Sequence, residues 1–148
     1  MKPRWLLLLL CSSLLLPHVS RAGDSAAALR PVVTADTTDV HPDDVFAVKL
    51  GLENLSSSQV TIRVPDTGWD RFWKSSNRNV TWDLWDGDSG AVESVEIPPH
   101  TTYLFPQPLK MFVDPDFKGS RIDFRMGFKT GAFREIVWSA PISLNITP

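Results

Sequence analysis

Ser89 stands in Gly87-Asp88-Ser89-Gly90, the setting most suggestive of nucleophilic chemistry in this chain. A serine hydroxyl is a weak nucleophile until a histidine takes its proton and a carboxylate holds that histidine. Only His18, His41 and His100 are available, and His18 lies in an N-terminal apolar leader. A tight turn between Leu84 and Val92 accounts for the same four residues, so no catalytic residue is assigned. Two groups of aspartates, Asp36, Asp39, Asp43 and Asp44, and Asp83, Asp86 and Asp88, offer the hard oxygen ligands that calcium takes. The second group lacks a closing acid at the spacing of a twelve-residue calcium loop. Solvated loops explain both. His100 and Met111 are of the soft ligand type that suits copper, but no second His-x-Met pair follows them. No metal and no cofactor is expected.

The tryptophans are the most informative excess. Of six, Trp5 is in the leader, and Trp69, Trp73, Trp82, Trp85 and Trp138 remain. Trp82 shares a face with Val80 and Leu84, which makes it the expected core tryptophan, and Trp85 falls on the opposite face. Trp69 and Trp73 lie among Asp70, Arg71, Lys74 and Asn77. One reading has Trp69, Phe72 and Trp73 plugging one end of the fold under a long loop. The other leaves these rings exposed and rimmed by polar groups, as suits anchoring a protein partner or, less favourably, stacking on a sugar. If the chain has a contact site, this reading places it around Trp69, Arg71, Trp73 and Trp85. Asn54, Asn79 and Asn145 each begin an Asn-x-Ser/Thr sequon, a glycan acceptor only in a eukaryotic secretory path.

These residues belong to a chain of 148 whose start reads as an export signal. Lys2 and Arg4 supply the positive charge, Trp5 to Leu16 an apolar run, and Ser20 and Ala22 the small residues before a cleavage point. The expected organisation is a signal peptide over residues 1–22, a flexible arm over 23–30 and one domain over 31–148. The protein is therefore expected to be secreted or periplasmic. Lys2, Arg4 and Arg21 leave with the signal, and no acid does, so 12 basic residues face 17 acidic ones in the remaining 126. A chain so balanced, with no basic run, is a poor nucleic-acid binder. Its sole cysteine, Cys11, lies in the signal. Disulfides, thiol nucleophiles and thiolate metal sites are thereby excluded from the domain. No later apolar run approaches the ~20 residues needed to span a bilayer.

The elements that must position these residues are short and alternating. Phe46, Val48, Leu50 and Leu52 share one face, as do Val60, Ile62 and Val64, and Val80, Trp82 and Leu84. Ile122, Phe124, Met126 and Phe128 repeat the pattern, and so do Ile142, Leu144 and Ile146. Period two with one apolar face predicts antiparallel strands packed on one side. The breaks, His41-Pro42-Asp43-Asp44, residues 54–58, residues 86–90, Pro98-Pro99 and Asp114-Pro115, are turn chemistry. The expectation is an all-β, immunoglobulin-like antiparallel β-sandwich of seven or eight strands.

A family resemblance agrees. Pro42-Asp43-Asp44, the strand Phe46 to Leu52, Glu53-Asn54-Leu55-Ser56-Ser57 and Val60 to Val64 together resemble the opening of bacterial secreted immunoglobulin-like domains. Ile97-Pro98-Pro99-His100-Thr101-Thr102-Tyr103 sits where those domains carry a proline–glycine turn. Trp69 to Trp73, Asn77 to Trp82, Phe124 to Phe128 and Val137 to Ile142 look like segments of the same group, whose function is uncharacterised. In outline the chain is also similar to intracellular proteinase inhibitor-like domains. The resemblance spans roughly residues 34–146 and implies the fold. An alternative function is a protease inhibitor presenting the Trp69 to Asn77 loop or the Phe105 to Pro108 turn. The reading that rests on the residues themselves is a non-enzymatic module with a protein partner, no nucleic-acid ligand and no membrane span.

Overall fold

The computed structural model describes residues 28–84, 90–130 and 135–147. The signal, most of the expected arm, Trp85 and Ser89 lie outside the described residues. Thirteen strands are found among those described: β1 Leu29–Ala35, β2 Asp39–Val40, β3 Val45–Asn54, β4 Val60–Pro65, β5 Trp73–Ser75, β6 Val80–Trp82, β7 Val92–Ile97, β8 Thr102–Leu104, β9 Leu109–Val113, β10 Arg121–Phe124, β11 Met126–Thr130, β12 Glu135–Trp138 and β13 Ile142–Ile146. A single 3-10 turn, Trp69–Phe72, precedes β5. The chain is an all-β, sandwich-like fold. One sheet runs β1-β3-β9-β6, with β8 also on β3; the others are β10-β13-β2, β12-β11-β5 and β4-β7.

The strands outnumber the seven or eight expected because single alternating segments serve two sheets. Ile122, Phe124, Met126 and Phe128 all point into the core, as their spacing requires. The segment nevertheless breaks at Arg125, where β10 leaves β13 and β11 takes up β12 and β5. The N-terminal segment divides similarly. β1 pairs with β3, then the chain turns at Asp36, whose carboxylate accepts the Ala47 N–H, and β2 joins β13. That last pairing is parallel, unlike the antiparallel ladders expected throughout. The sheet also begins two residues earlier than the expected arm allowed. Leu29 is buried, and Arg30 forms an ion pair with Glu53 across the β1–β3 ladder.

Phe46, Val48, Leu50, Val60, Ile62, Phe124, Met126, Phe128, Leu144 and Ile146 are all buried as their periodicity predicts. Fully burying such a side chain contributes ~1.5–3 kcal/mol each before the entropy of ordering is subtracted. Trp82 is the exception among the expected core residues: it is only half-buried. β6 ends there, and Leu84, two residues on, is exposed. The core tryptophan is instead Trp73 at 2 % exposure, with Trp69 at 8 %.

Phe105 is the centre of the aromatic cluster. It stacks on Trp69 at 4.8 Å, meets Trp73 edge-on at 5.5 Å and Tyr103 at 5.2 Å, and lies 6.1 Å from Phe128. Burial, and secondly the Glu93 carboxylate, push the Tyr103 hydroxyl above its ordinary pKa. Gly51 lets β8 cross β3 closely: a Cβ there would fall 2.9 Å from the Tyr103 carbonyl oxygen.

Candidate functional site: a donor-lined groove between two strand edges

β5 and β6 follow each other across the turn Ser76 to Asn79, yet they do not pair. The turn residues explain why. The Ser75 hydroxyl donates to the Asn77 carbonyl and accepts the Asn77 N–H, and the Asn77 side-chain carbonyl accepts the N–H of Asn79. Such local side-chain bonds satisfy the backbone without a hairpin ladder. The turn is then pinned from both sides. Ser76 donates its N–H to the Arg125 carbonyl and accepts the Arg125 N–H through its hydroxyl. Asn77 donates its side-chain amide to the Asp123 carbonyl at 3.1 Å, and Asp114 donates its N–H to the Asn79 carbonyl at 2.8 Å. The two strands are thereby drawn into different sheets, β5 onto β11 and β6 onto β9.

A groove of about 390 Å³ opens along the resulting cleft. β5 contributes Trp73, Lys74 and Ser75, and β6 contributes Val80, Thr81 and Trp82. Arg71, Arg78 and Lys129 complete its charged lining. The Lys129 ammonium also donates to the Arg71 carbonyl at 2.8 Å, which ties β11 to the 3-10 turn. Four cations and no carboxylate occur among the described lining residues, although the whole chain carries a net charge of −2. Among the described residues the indole N–H groups of Trp73 and Trp82 are buried and have no hydrogen-bond acceptor. A buried donor left unpaired costs ~1–3 kcal/mol, so two on residues beside one groove are a feature to be explained.

A second cavity, of about 440 Å³, lies on the other side of the Trp69 segment. Asp66, Asp70 and Asp83 line it with Trp69, the Pro106 to Pro108 turn and Lys110.

The structure separates the four residues first expected to form a contact surface. Arg71 and Trp73 line the groove, Trp69 lines the second cavity, and Trp85 is outside the described residues. Trp69 and Trp73 are packed in the aromatic cluster, as the plug reading has it, and do not present their rings to water. Lys74, Arg78 and Trp82 also line the groove, where the sequence reading had Lys74 only as a polar neighbour and Trp82 in the core. Their signal was present: Lys74 alternates outward from Trp73, and Ser76 to Asn79 is a short polar turn between two three-residue strands.

The other sequence candidates become structural. Asn54 is 0 % exposed: its side-chain nitrogen donates to the carbonyls of Ser58, Ile97 and Pro98, and its oxygen accepts from the N–H and hydroxyl of Ser56. A glycan on that nitrogen is incompatible with this packing. Asn145 is exposed and donates to the Asp39 carboxylate. Asp36, Asp39 and Asp44 accept hydrogen bonds from nearby turn and strand groups. Among the described residues no group of three or more His, Cys, Asp or Glu side chains is placed to hold a metal. His100 is exposed in a turn while Met111 is fully buried in β9, so the two do not form a soft-metal site. Asp123 lies below the ordinary carboxylate pKa, first because the Ser143 hydroxyl donates to it and then because Arg121 does.

Fold and groove together define a β-sandwich with a cationic cleft between two sheet edges. No protein-family model matches the chain, and no curated protein does. Among solved structures it is similar to a FixG-related protein from Vibrio parahaemolyticus, with a TM-score of 0.48 and 8% identity over 82% of this chain and 98% of that one. No helix among the described residues is long and apolar enough to cross a membrane.

Proposed function

We propose that the protein is a non-enzymatic binding module, secreted or periplasmic and of the immunoglobulin-like kind, that holds a protein partner in the groove between β5 and β6. The observation carrying this reading is the cationic groove itself: Arg71, Lys74, Arg78 and Lys129 line it with Trp73, Trp82 and Leu84, and no described carboxylate does. Trp and Arg are the residues that most often dominate contact energies. The contact surface keeps Arg71 and Trp73 and gains Lys74, Arg78 and Trp82. A neutral sugar suits it less, because it brings no negative charge to the four cations of the lining.

A photo-crosslinking residue at Thr81, exposed in the groove lining, tests the proposal in the native extract. A single partner should be captured there, but not from the control position Thr61 on β4. Capture should also disappear in the Lys74→Glu/Arg78→Glu variant. Equal capture at both positions, or none at Thr81, contradicts the proposal.

A second reading, protease inhibition, is supported by the exposed Pro106, Gln107 and Pro108 held between the buried Phe105 and Leu109. Stoichiometric inhibition of a protease, lost on replacing Gln107, would favour it over the groove.

A further inference from the structure

We infer that the groove takes an extended, carboxylate-bearing peptide segment, which lies along the free edges of β5 and β6 and sets its acidic side chains against Lys74 and Arg78. This rests on the reading of the groove as the contact site.

Three independent features meet in the cleft. The first is backbone. β5 ends the sheet β12-β11-β5, and β6 ends the path β1-β3-β9-β6. Among the described residues no strand pairs with the outer edge of either, and each gives all three of its residues to the groove. A strand edge offers N–H and C=O groups to another extended chain; here the Trp73 N–H is already given to the Asp70 carbonyl and the Val80 N–H to the Asn77 carbonyl, so a ligand chain meets the later residues of each strand. The second feature is charge. Lys74 and Arg78 are exposed, and no described carboxylate shares the lining with them. The field in the cleft thus favours anions within a chain that is acidic overall. The third is apolar area: half-buried Trp82 and exposed Leu84 line the same groove and give the apolar side chains of a peptide a surface to cover.

An acidic glycan would satisfy the second feature but has no amide row to offer the strand edges. Nor could it use Trp73 as a stacking face, because that ring is enclosed by Phe105 and Phe128. The peptide is the occupant that meets all three.

The test uses a fluorescein-labelled alternating glutamate–valine octapeptide, titrated against the protein by anisotropy. A lysine–valine octapeptide and an oligogalacturonate are run beside it. Two double variants are compared, Lys74→Glu/Arg78→Glu in the groove and Arg63→Glu/Lys118→Glu on distant exposed positions, which change net charge equally. Thermal unfolding confirms that both remain folded. The acidic peptide should bind saturably, and the groove variant should weaken it about tenfold or more, while the distant variant changes it little. The lysine peptide should not bind. Equal weakening by the two variants would reduce the effect to bulk charge and overturn the inference. So would oligogalacturonate binding without peptide binding, or self-association of the protein that the groove variant abolishes. Capture of a partner at Thr81 without affinity for the acidic peptide would leave the contact reading standing and remove only the ligand chemistry.

Discussion

The two cavities beside the Trp69 to Leu84 segment are close in size, about 390 and 440 Å³, yet opposite in chemistry. Around the second, Asp66 and Asp83 are exposed carboxylates that water solvates, and the Thr67 hydroxyl already accepts the Gly90 N–H. Among the described residues no buried side-chain polar atom lining it lacks a partner. Around the first, Lys74 and Arg78 are exposed cations, and among the described residues the buried indole N–H groups of Trp73 and Trp82 have no acceptor. The difference teaches that cavity volume does not mark a site. The sign of the charges that line it does, because it decides which ligands the cleft attracts.

The sharpest way to break this comparison is to separate the packing role of each tryptophan from its role at the groove. Trp73→Ala should cost ~3–5 kcal/mol of stability by denaturant unfolding, the range for truncating a core aromatic. Asn54→Ala should cost ~2–3 kcal/mol, because it strips the carbonyls of Ser58, Ile97 and Pro98 of a buried donor while leaving the groove intact. Trp82→Ala should cost only about 1 kcal/mol, since the ring is half-buried, but should abolish binding. A Trp82→Ala variant as unstable as Trp73→Ala would place both rings in the core and undo the distinction.

Two smaller effects sharpen the background. His100 has φ 56°, a left-handed conformation in the turn closed by the Thr101 N–H to Pro98 carbonyl bond. His100→Gly should leave stability unchanged or raise it by up to ~1 kcal/mol, as strain relief offsets the added freedom of the unfolded chain. Asp123 has a folded pKa below its unfolded value, so its contribution is complete above the ordinary carboxylate value of ~3.9 and is lost as pH falls through the lower folded pKa. Asp123→Asn should flatten the acid limb of the stability profile slightly, read from thermal unfolding between neutral and strongly acidic pH.

Most of the fold was legible in the residues, and particular strands show why. Phe46 to Leu52 and Ile122 to Phe128 keep period two, and period two fixes which side chains turn inward whichever sheet the strand joins. What alternation cannot encode is a change of sheet. The break at Arg125 depends on the distant Ser76, and the parallel β2–β13 pair on a strand more than a hundred positions away. The site was half legible for the same reason. Arg71 and Trp73 stood out by composition. Trp82 was assigned to the core because its phase matches Val80, and only the early end of β6 leaves it at the lip of the groove. Pro98-Pro99 was legible as a turn and is one, closed by the Thr101 N–H to Pro98 carbonyl bond.

The most direct measurement is the pair of indole N–H resonances of Trp73 and Trp82 in a nitrogen–proton correlation spectrum, titrated with the alternating glutamate–valine peptide. Both should move as the peptide seats along Trp82 and the neighbouring strands, and the backbone amides of Lys74 and Thr81 should shift in the same saturable step. Saturable binding that leaves both indole signals and these amides in place would contradict the account, because the peptide would then be held elsewhere.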